Sequence, residues 1–224
     1  MSFGDKKLSE IAVSVPGSTS LLREYDLDFC CGGSDTLANA AAEKRLNLAE
    51  IETRLTELQN SKAENPEEYW ANATYPEIID HILVRYHQRH REQLQELIVL
   101  ADRVESVHGD REDCPIGVAA ELRNVYEDLS NHMMKEEHVL FPMIKAGNYM
   151  MAQMPIRMME MEHAEHGEHL DVLKSLTNNM TPPADACNTW RALYSGIQEF
   201  ADDLMMHIHR ENNILFPRVI AENH

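Results

Sequence analysis

The sequence is poor in cysteine and in positive charge, and both shortages exclude classes of protein. Its four cysteines, two adjacent and two isolated, do not form the pattern of a disulfide framework. The 38 acidic side chains outnumber the 20 basic ones and give a net charge of −18. Nucleic acid and anionic membranes both require a positive protein face, so we expect neither as a partner.

Long apolar runs are also missing. No run approaches the roughly 20 residues that a membrane-spanning helix requires. The first twenty residues have neither the apolar segment nor the cleavage motif of a secretory signal. We therefore expect a cytoplasmic protein. Its thirteen methionines are expected to fill gaps in the core and not to bind metal.

Helical periodicity divides the 224 residues into three parts. Residues 1–58 carry short helical patterns on both sides of a CCGG turn at 30–33, and the polar, unpatterned stretch 59–73 is predicted to be a linker. Residues 74–224 open on a capping box, Thr74 to Glu77, with proline at the first helical position. This part contains long helical segments at about 76–108, 115–145, 155–178 and 181–221. We predict an all-α protein in which a small helical N-terminal domain precedes an up-down four-helix bundle.

Two motifs occur twice in the bundle. H-x-x-x-E-x-x-x-L-F-P begins at His132 and again at His207, 75 residues later. H-x-x-H-x-E-x-L-x-x-L begins at His87 and again at His163, 76 residues later. Duplication of a helical hairpin explains both offsets, with one residue absorbed by a loop.

Duplicated core packing explains the repeated leucines but not the repeated histidine and glutamate. Ionised glutamate is rarely buried without a partner. His132 and Glu136 are four residues apart and share a helix face, as do His207 and Glu211. A rise of about 1.5 Å per residue places both pairs, and one histidine from each other helix, at one level of the core.

The spacing leaves the choice between His87 and His90 open, and likewise that between His163 and His166. Both members of each pair fall on the same broad helix face. Six further histidines are expected at the surface rather than at a metal: His81, His108, His138, His169, His209 and His224.

Four imidazoles and two carboxylates are too many ligands for one tetrahedral zinc, but they suit two metal ions about 3.5–4 Å apart. If both glutamates bridge the two metal ions, and an oxo or hydroxo group also bridges these ions, each metal has five ligands. An octahedral ion such as iron then keeps one open position for a small ligand. Glu162 and Glu165, beside His163, are either supports of the ligands or solvated surface charges.

The pattern H…HxxxE…H…HxxxE on four helices resembles the hemerythrin-like (HHE) cation-binding family of di-iron bundles. The stretch LLREYDLDFCCGGSDTL is similar to the small domain that precedes HHE in the repair-of-iron-centres family. The resemblance implies an oxo-bridged centre of two iron ions. The ligands that it implies are His87, His132, His163 and His207, with Glu136 and Glu211 as bridges.

The resemblance also implies a function. Members of that family repair iron–sulfur clusters damaged by oxidative and nitrosative stress, by donating iron or by handling nitric oxide. Damaged iron–sulfur proteins would be the partners, and the protein would be a homodimer. The alternative is a hemerythrin-like protein that binds or senses dioxygen or nitric oxide without repair.

Cys30 and Cys31 form a second candidate site, for thiol chemistry. Adjacent cysteines pair poorly with each other because a disulfide between them strains the backbone. The competing interpretation is two small residues at a tight turn before the glycine pair. A turn of this kind exposes at least one sulfur, which favours the thiol site.

Overall fold

The computed structural model describes residues 2–61 and 64–222, and within these ranges it is helical and contains no β-strand. The predicted all-α class is therefore confirmed. By contacts the chain divides into two compact units, one made of Met1–Ile78 with Met206–His224 and the other of Ile79–Met205. Residue His224, which was expected at the surface, lies outside the described residues.

The first unit contains short helices, and local sequence sets where each one begins. The side chains of Thr36 and Asn47 cap the helices that begin at Leu37 and Leu48. Gly17, with the left-handed φ of +73°, directly precedes the helix that begins at Ser18. The helices are α1 (Leu8–Ser14), α2 (Ser18–Glu24), α3 (Leu37–Glu43), α4 (Leu48–Asn60), α5 (Pro66–Asn72) and α12 (Phe216–Ala221).

Helix α5 lies inside the stretch that was predicted to be a linker. Asn65 accepts a hydrogen bond from the backbone N–H of Glu67, and Pro66 occupies the first turn. Capping and a pre-set φ therefore start a helix where apolar periodicity gave no signal. The domain boundaries at 58 and 74 stay predictions.

Long helices build the second unit, and α6 (Tyr75–Ile82) and α11 (Asn188–Arg210) cross its boundary. The helices within the unit are α7 (Gln88–His108), α8 (Val118–Lys135), α9 (Phe141–Lys145) and α10 (Tyr149–Leu176). The reciprocal capping box of Thr74 and Glu77 is present before α6. No helix in 2–61 or 64–222 combines the length and the apolarity that crossing a bilayer requires.

Three predicted helix starts differ from the structure. Gly117, at φ +102°, delays α8 beyond Pro115. Helix α10 starts before Pro155, which it accommodates inside the helix at the loss of one backbone donor. Helix α11 begins at Asn188 and not at Thr181, which follows residues with positive φ.

The core of the second unit follows the predicted apolar stripes. Its buried side chains recur every three or four residues along each long helix, as a buried helix face requires. They include Leu94, Leu97, Val104, Leu122, Val125, Leu129, Ile156, Leu170, Leu173, Leu193, Ile197 and Phe200.

Candidate metal centre

In the part of the chain that the structure describes, three π-helical turns interrupt the long helices, and each has a predicted metal ligand at one end. They are Leu83–His87, Glu136–Leu140 and Glu211–Leu215. Single π turns inside α-helices are rare and occur frequently at functional sites. His87 closes the first turn, and Glu136 and Glu211 open the other two.

The repeated L-F-P sequence accounts for two of these turns. Pro142 and Pro217 lie six residues after Glu136 and Glu211. Proline has no backbone N–H and collides with the carbonyl of the residue four positions before it. One widened turn ahead of each proline relieves this conflict without ending the helix, and Phe141 then donates to the carbonyl of Glu136.

Four of the six predicted ligands lie together in the second unit, and all four are buried. Nε2 of His87 and Nε2 of His132 lie 3.3 and 3.4 Å from the same oxygen, Oε2 of Glu136. Nε2 of His163 lies 3.1 Å from Nε2 of His132. The ligand atoms of His132, Glu136 and His163 are all within 4.8 Å of one another.

Two of the predicted ligand imidazoles each donate a hydrogen bond to a carboxylate, and each of these carboxylates also binds a cationic side chain. Nδ1 of His87 donates to Glu137 at 2.8 Å, and Arg91 donates to the same oxygen at 2.7 Å. The hydrogen bond from His87, with help from Arg91, lowers the pKa of Glu137 to about 2. Glu137 therefore stays ionised and fixes the ring of His87.

The second imidazole repeats the arrangement with different residues. Nδ1 of His132 donates to Glu162 at 2.9 Å, and Lys135 donates to the other oxygen of Glu162 at 2.6 Å. The hydrogen bond from His132, followed by that from Lys135, lowers the pKa of Glu162 to about 2. Of the two predicted supports, Glu162 contacts the predicted ligand His132, and Glu165 is exposed.

These hydrogen bonds indicate what the buried group can bind. An imidazole that donates through Nδ1 and remains neutral has a lone pair on Nε2. His87 and His132 then direct two nitrogen lone pairs at a carboxylate oxygen of Glu136, which also only accepts. A cation satisfies these acceptors together, and imidazole with carboxylate is a donor set that iron accepts. The side chains therefore fit a metal site.

The other two predicted ligands lie together in the first unit. Nε2 of His207 lies 3.3 Å from Oε1 of Glu211, and both side chains are buried. This is the same four-residue pairing on one helix face as His132 with Glu136. The local geometry of the motif is thus repeated in both copies.

The neighbouring His209 was expected at the surface, and that expectation is wrong. His209 is fully buried, and its Nε2 lies 3.3 Å from Glu67. Its ring packs edge-on against Phe29 at 5.4 Å, and its Nδ1 accepts from Asn213 at 2.8 Å. Burial lowers the pKa of His209, so Arg210, bound to Glu67 at 2.5 Å, supplies the positive charge.

The alternative histidines His90 and His166 are buried as well, which explains why spacing did not separate them from His87 and His163. The ring of His90 lies between Tyr86, stacked at 6.1 Å, and Phe200, edge-on at 5.4 Å. The ring of His166 meets His132 edge-on at 4.9 Å. Both histidines pack on the aromatic and ligand side chains of the same face.

Around the CCGG turn, one carboxylate organises the backbone. Asp28 accepts hydrogen bonds at 2.9 Å from the backbone N–H groups of residues 30–32. It also lies 3.2 Å from the sulfur of Cys30, which is 3.8 Å from the sulfur of Cys31. Cys31 is partly exposed and Cys30 is buried, as expected for a turn that presents one thiol.

Comparison with known proteins agrees with this geometry. The profile described as "Hemerythrin HHE cation binding domain" matches residues 78–219, and one described as a domain of unknown function (DUF542) matches residues 4–59. The "Probable iron-sulfur cluster repair protein" of Haemophilus influenzae is 68% identical over 222 residues, covering 99% of this chain and 100% of the relative. The chain belongs to the repair-of-iron-centres family of hemerythrin-like proteins.

Other members of the repair-of-iron-centres family are similar along nearly their whole length. The "Iron-sulfur cluster repair protein YtfE" of Musicola paradisiaca is 54% identical over 221 residues, covering 98% of both chains. The protein of that name from Escherichia coli O81 is 54% identical over 222 residues, covering 99% of both chains. The match to the HHE domain includes all six predicted ligands, so the family resemblance extends through the candidate centre.

Proposed function

We propose that this protein repairs iron–sulfur clusters damaged by oxidative and nitrosative stress, using a pair of oxo-bridged iron ions. The ligands in this proposal are His87, His132, His163 and His207, with Glu136 and Glu211 as bridges. The names of the relatives support repair over the alternative of ligand binding or sensing alone. The observation that carries the metal pair is the repeated motif, whose two copies have the same buried His–Glu geometry.

Iron bound to imidazole and carboxylate supplies redox chemistry and an ion that is held less firmly than by thiolates. The residues of the chain prepare the ligands for it. Glu137 and Glu162 hold the Nδ1 protons of His87 and His132, which leaves Nε2 of each ring as the nitrogen that would bind a metal. Their low pKa values keep both carboxylates ionised, so that each continues to accept the hydrogen bond from its imidazole.

The clients in this proposal are proteins with damaged clusters, and nitric oxide or dioxygen are the small ligands. The proposal further includes a cytoplasmic location and a homodimer. Cys30 and Cys31 are proposed to act as a thiol site, because the Asp28 turn exposes one sulfur and buries the other.

The test is repair of a purified [4Fe–4S] enzyme inactivated by nitric oxide, with the protein isolated anaerobically and its iron measured. About two irons per chain and recovery of client activity are expected. His132→Ala should lose iron and repair together, whereas His138→Ala, which removes an exposed histidine six residues further along, should lose neither. Bound zinc in place of iron, or full repair by His132→Ala, would contradict the proposal.

A further inference from the structure

The outer face of α10 carries a stripe of exposed methionines, for which the expectation of core filling is wrong. Five methionines expose between 48% and 74% of their surface: Met150, Met151, Met154, Met158 and Met161. At 3.6 residues per turn these positions fall within a sector of about 100°. Ile156, His163 and Leu170 define the buried face of the same helix, on the opposite side.

The stripe matches in size the largest apolar patch of a typical monomer, which covers about 300–600 Å² and is often functional. Its five exposed methionines together present roughly several hundred Å² of apolar area. A standard protein interface buries about 800 Å² on each partner. Methionine side chains are flexible and polarizable, and they adapt to an opposing apolar surface. The stripe therefore has the size and the chemistry of an interface.

Charge restricts what the partner can be. The chain carries a net charge of −18, so a second copy is repelled over most of its surface. Residues 146–156, which include the first half of the stripe, contain no charged side chain. Two copies approach each other here with little local repulsion.

The positions of the methionines are symmetric along the helix. Met154 and Met158 lie two residues on either side of position 156, and Met151 and Met161 lie five residues on either side. When two identical helices pack antiparallel across a twofold axis, residue i of one faces residue j of the other and the reverse also holds. An axis at position 156 sets Met154 against Met158 and Met151 against Met161.

We propose that this methionine stripe is the surface through which two copies of the chain associate, with the two α10 helices antiparallel about position 156. The proposal rests on the homodimer of the proposed function and assigns its interface. Because the copies repel each other electrostatically, added salt strengthens the dimer by screening.

Sedimentation equilibrium of the full-length, iron-loaded protein tests this assignment. The wild type should be a dimer, and the double variant Met154→Glu with Met158→Glu should raise the dimer dissociation constant at least 100-fold. That estimate, about two orders of magnitude, follows from placing four carboxylates in an apolar contact. The conservative variant Met154→Leu with Met158→Leu should change it less than about 10-fold.

The matched control is Val99→Glu with Val107→Glu on α7, which adds the same two charges at side chains that are 67% and 52% exposed. It should dimerise like the wild type, and circular dichroism and iron content should show that all variants fold. A monomeric wild type would overturn the homodimer and this proposal together. A dimeric wild type whose Met154→Glu, Met158→Glu variant dimerises equally well would overturn only the interface.

Discussion

Replacing Glu67 by glutamine is expected to destabilise the first unit by about 3 kcal/mol. Glu67 binds both terminal nitrogens of Arg210, at 2.5 and 3.2 Å, and the two side chains are only 9% and 3% exposed. The Arg210 guanidinium also lies 4.9 Å from the centre of the Trp70 ring. Removing one partner of a buried ion pair leaves the other charge uncompensated, at a cost of about 3–5 kcal/mol. The amide oxygen of the glutamine still accepts one hydrogen bond, so we expect the cost of Glu67→Gln at the lower end of this range.

The effect should depend on pH. Burial by itself raises the pKa of Glu67, but the hydrogen bond with His209 and the charge of Arg210 outweigh it, and the pKa is lowered. A carboxyl group with a lowered folded pKa contributes stability above its unfolded pKa, about 4.3 for glutamate, and loses it as the pH falls through the folded value. The difference in the free energy of unfolding between wild type and Glu67→Gln should have its full value at pH 7 and should shrink below about pH 4.

Thermal and urea unfolding of metal-free protein, followed by circular dichroism, measures this difference. For a chain of this size, 3 kcal/mol lowers the melting temperature by roughly 10 °C. The control is Asp80→Asn, which removes an exposed ion pair with Lys145 and should cost less than about 1 kcal/mol. If both variants melt within about 3 °C of the wild type, the buried pair does not stabilise the unit as argued.

Three further outcomes are expected. Bound metal should dissociate below about pH 6, because protons then compete for the imidazole nitrogens, and metal retained well below that pH after dialysis would contradict a histidine-rich site. Glu137→Gln and Glu162→Gln should each weaken metal binding about 10–100-fold in chelator competition, while Glu165→Gln, at an exposed position, should match the wild type. Mass spectrometry after brief alkylation should find Cys31 labelled before Cys30, since hydrogen bonding to Cys31 and burial raise the pKa of Cys30; equal labelling would contradict this.

The contact between histidine and glutamate in each motif could be predicted from the sequence because four-residue spacing fixes geometry within one helix. His132 with Glu136, and His207 with Glu211, lie 3.4 and 3.3 Å apart. The π turns were not predicted, because a period of 3.6 residues was assumed through each long helix. The repeated proline of the L-F-P sequence was the available signal, since proline inside a helix removes a donor and requires an adjustment.

Burial of isolated polar side chains could not be predicted, because their partners are distant in sequence. His209 is separated from Glu67 by 142 positions, and no local pattern connects the two. Glu137 follows a predicted ligand directly, yet its contact with His87 joins residues 50 positions apart. The exposure of the methionines was not predicted, because an apolar side chain suggests a place in the core. Only the angular position of each residue around the helix shows which face it occupies.

The two copies of the motif diverge directly after their glutamates, and each copy makes a different contact there. After Glu136 the first copy continues with Glu137, which supports the ring of His87. After Glu211 the second copy continues with two asparagines. Asn212 donates to the carbonyl of Cys30 at 3.1 Å, and Asn213 donates to that of Phe29 at 2.8 Å.

In the second copy, the π turn therefore holds the CCGG turn through the two asparagines that follow Glu211. Both asparagine amides donate to backbone carbonyls, so the attachment depends on the path of the chain before the glycines and not on the cysteine thiols. The asparagines beside Glu211 therefore connect the proposed thiol site to the proposed metal ligands His207 and Glu211, all within the first unit.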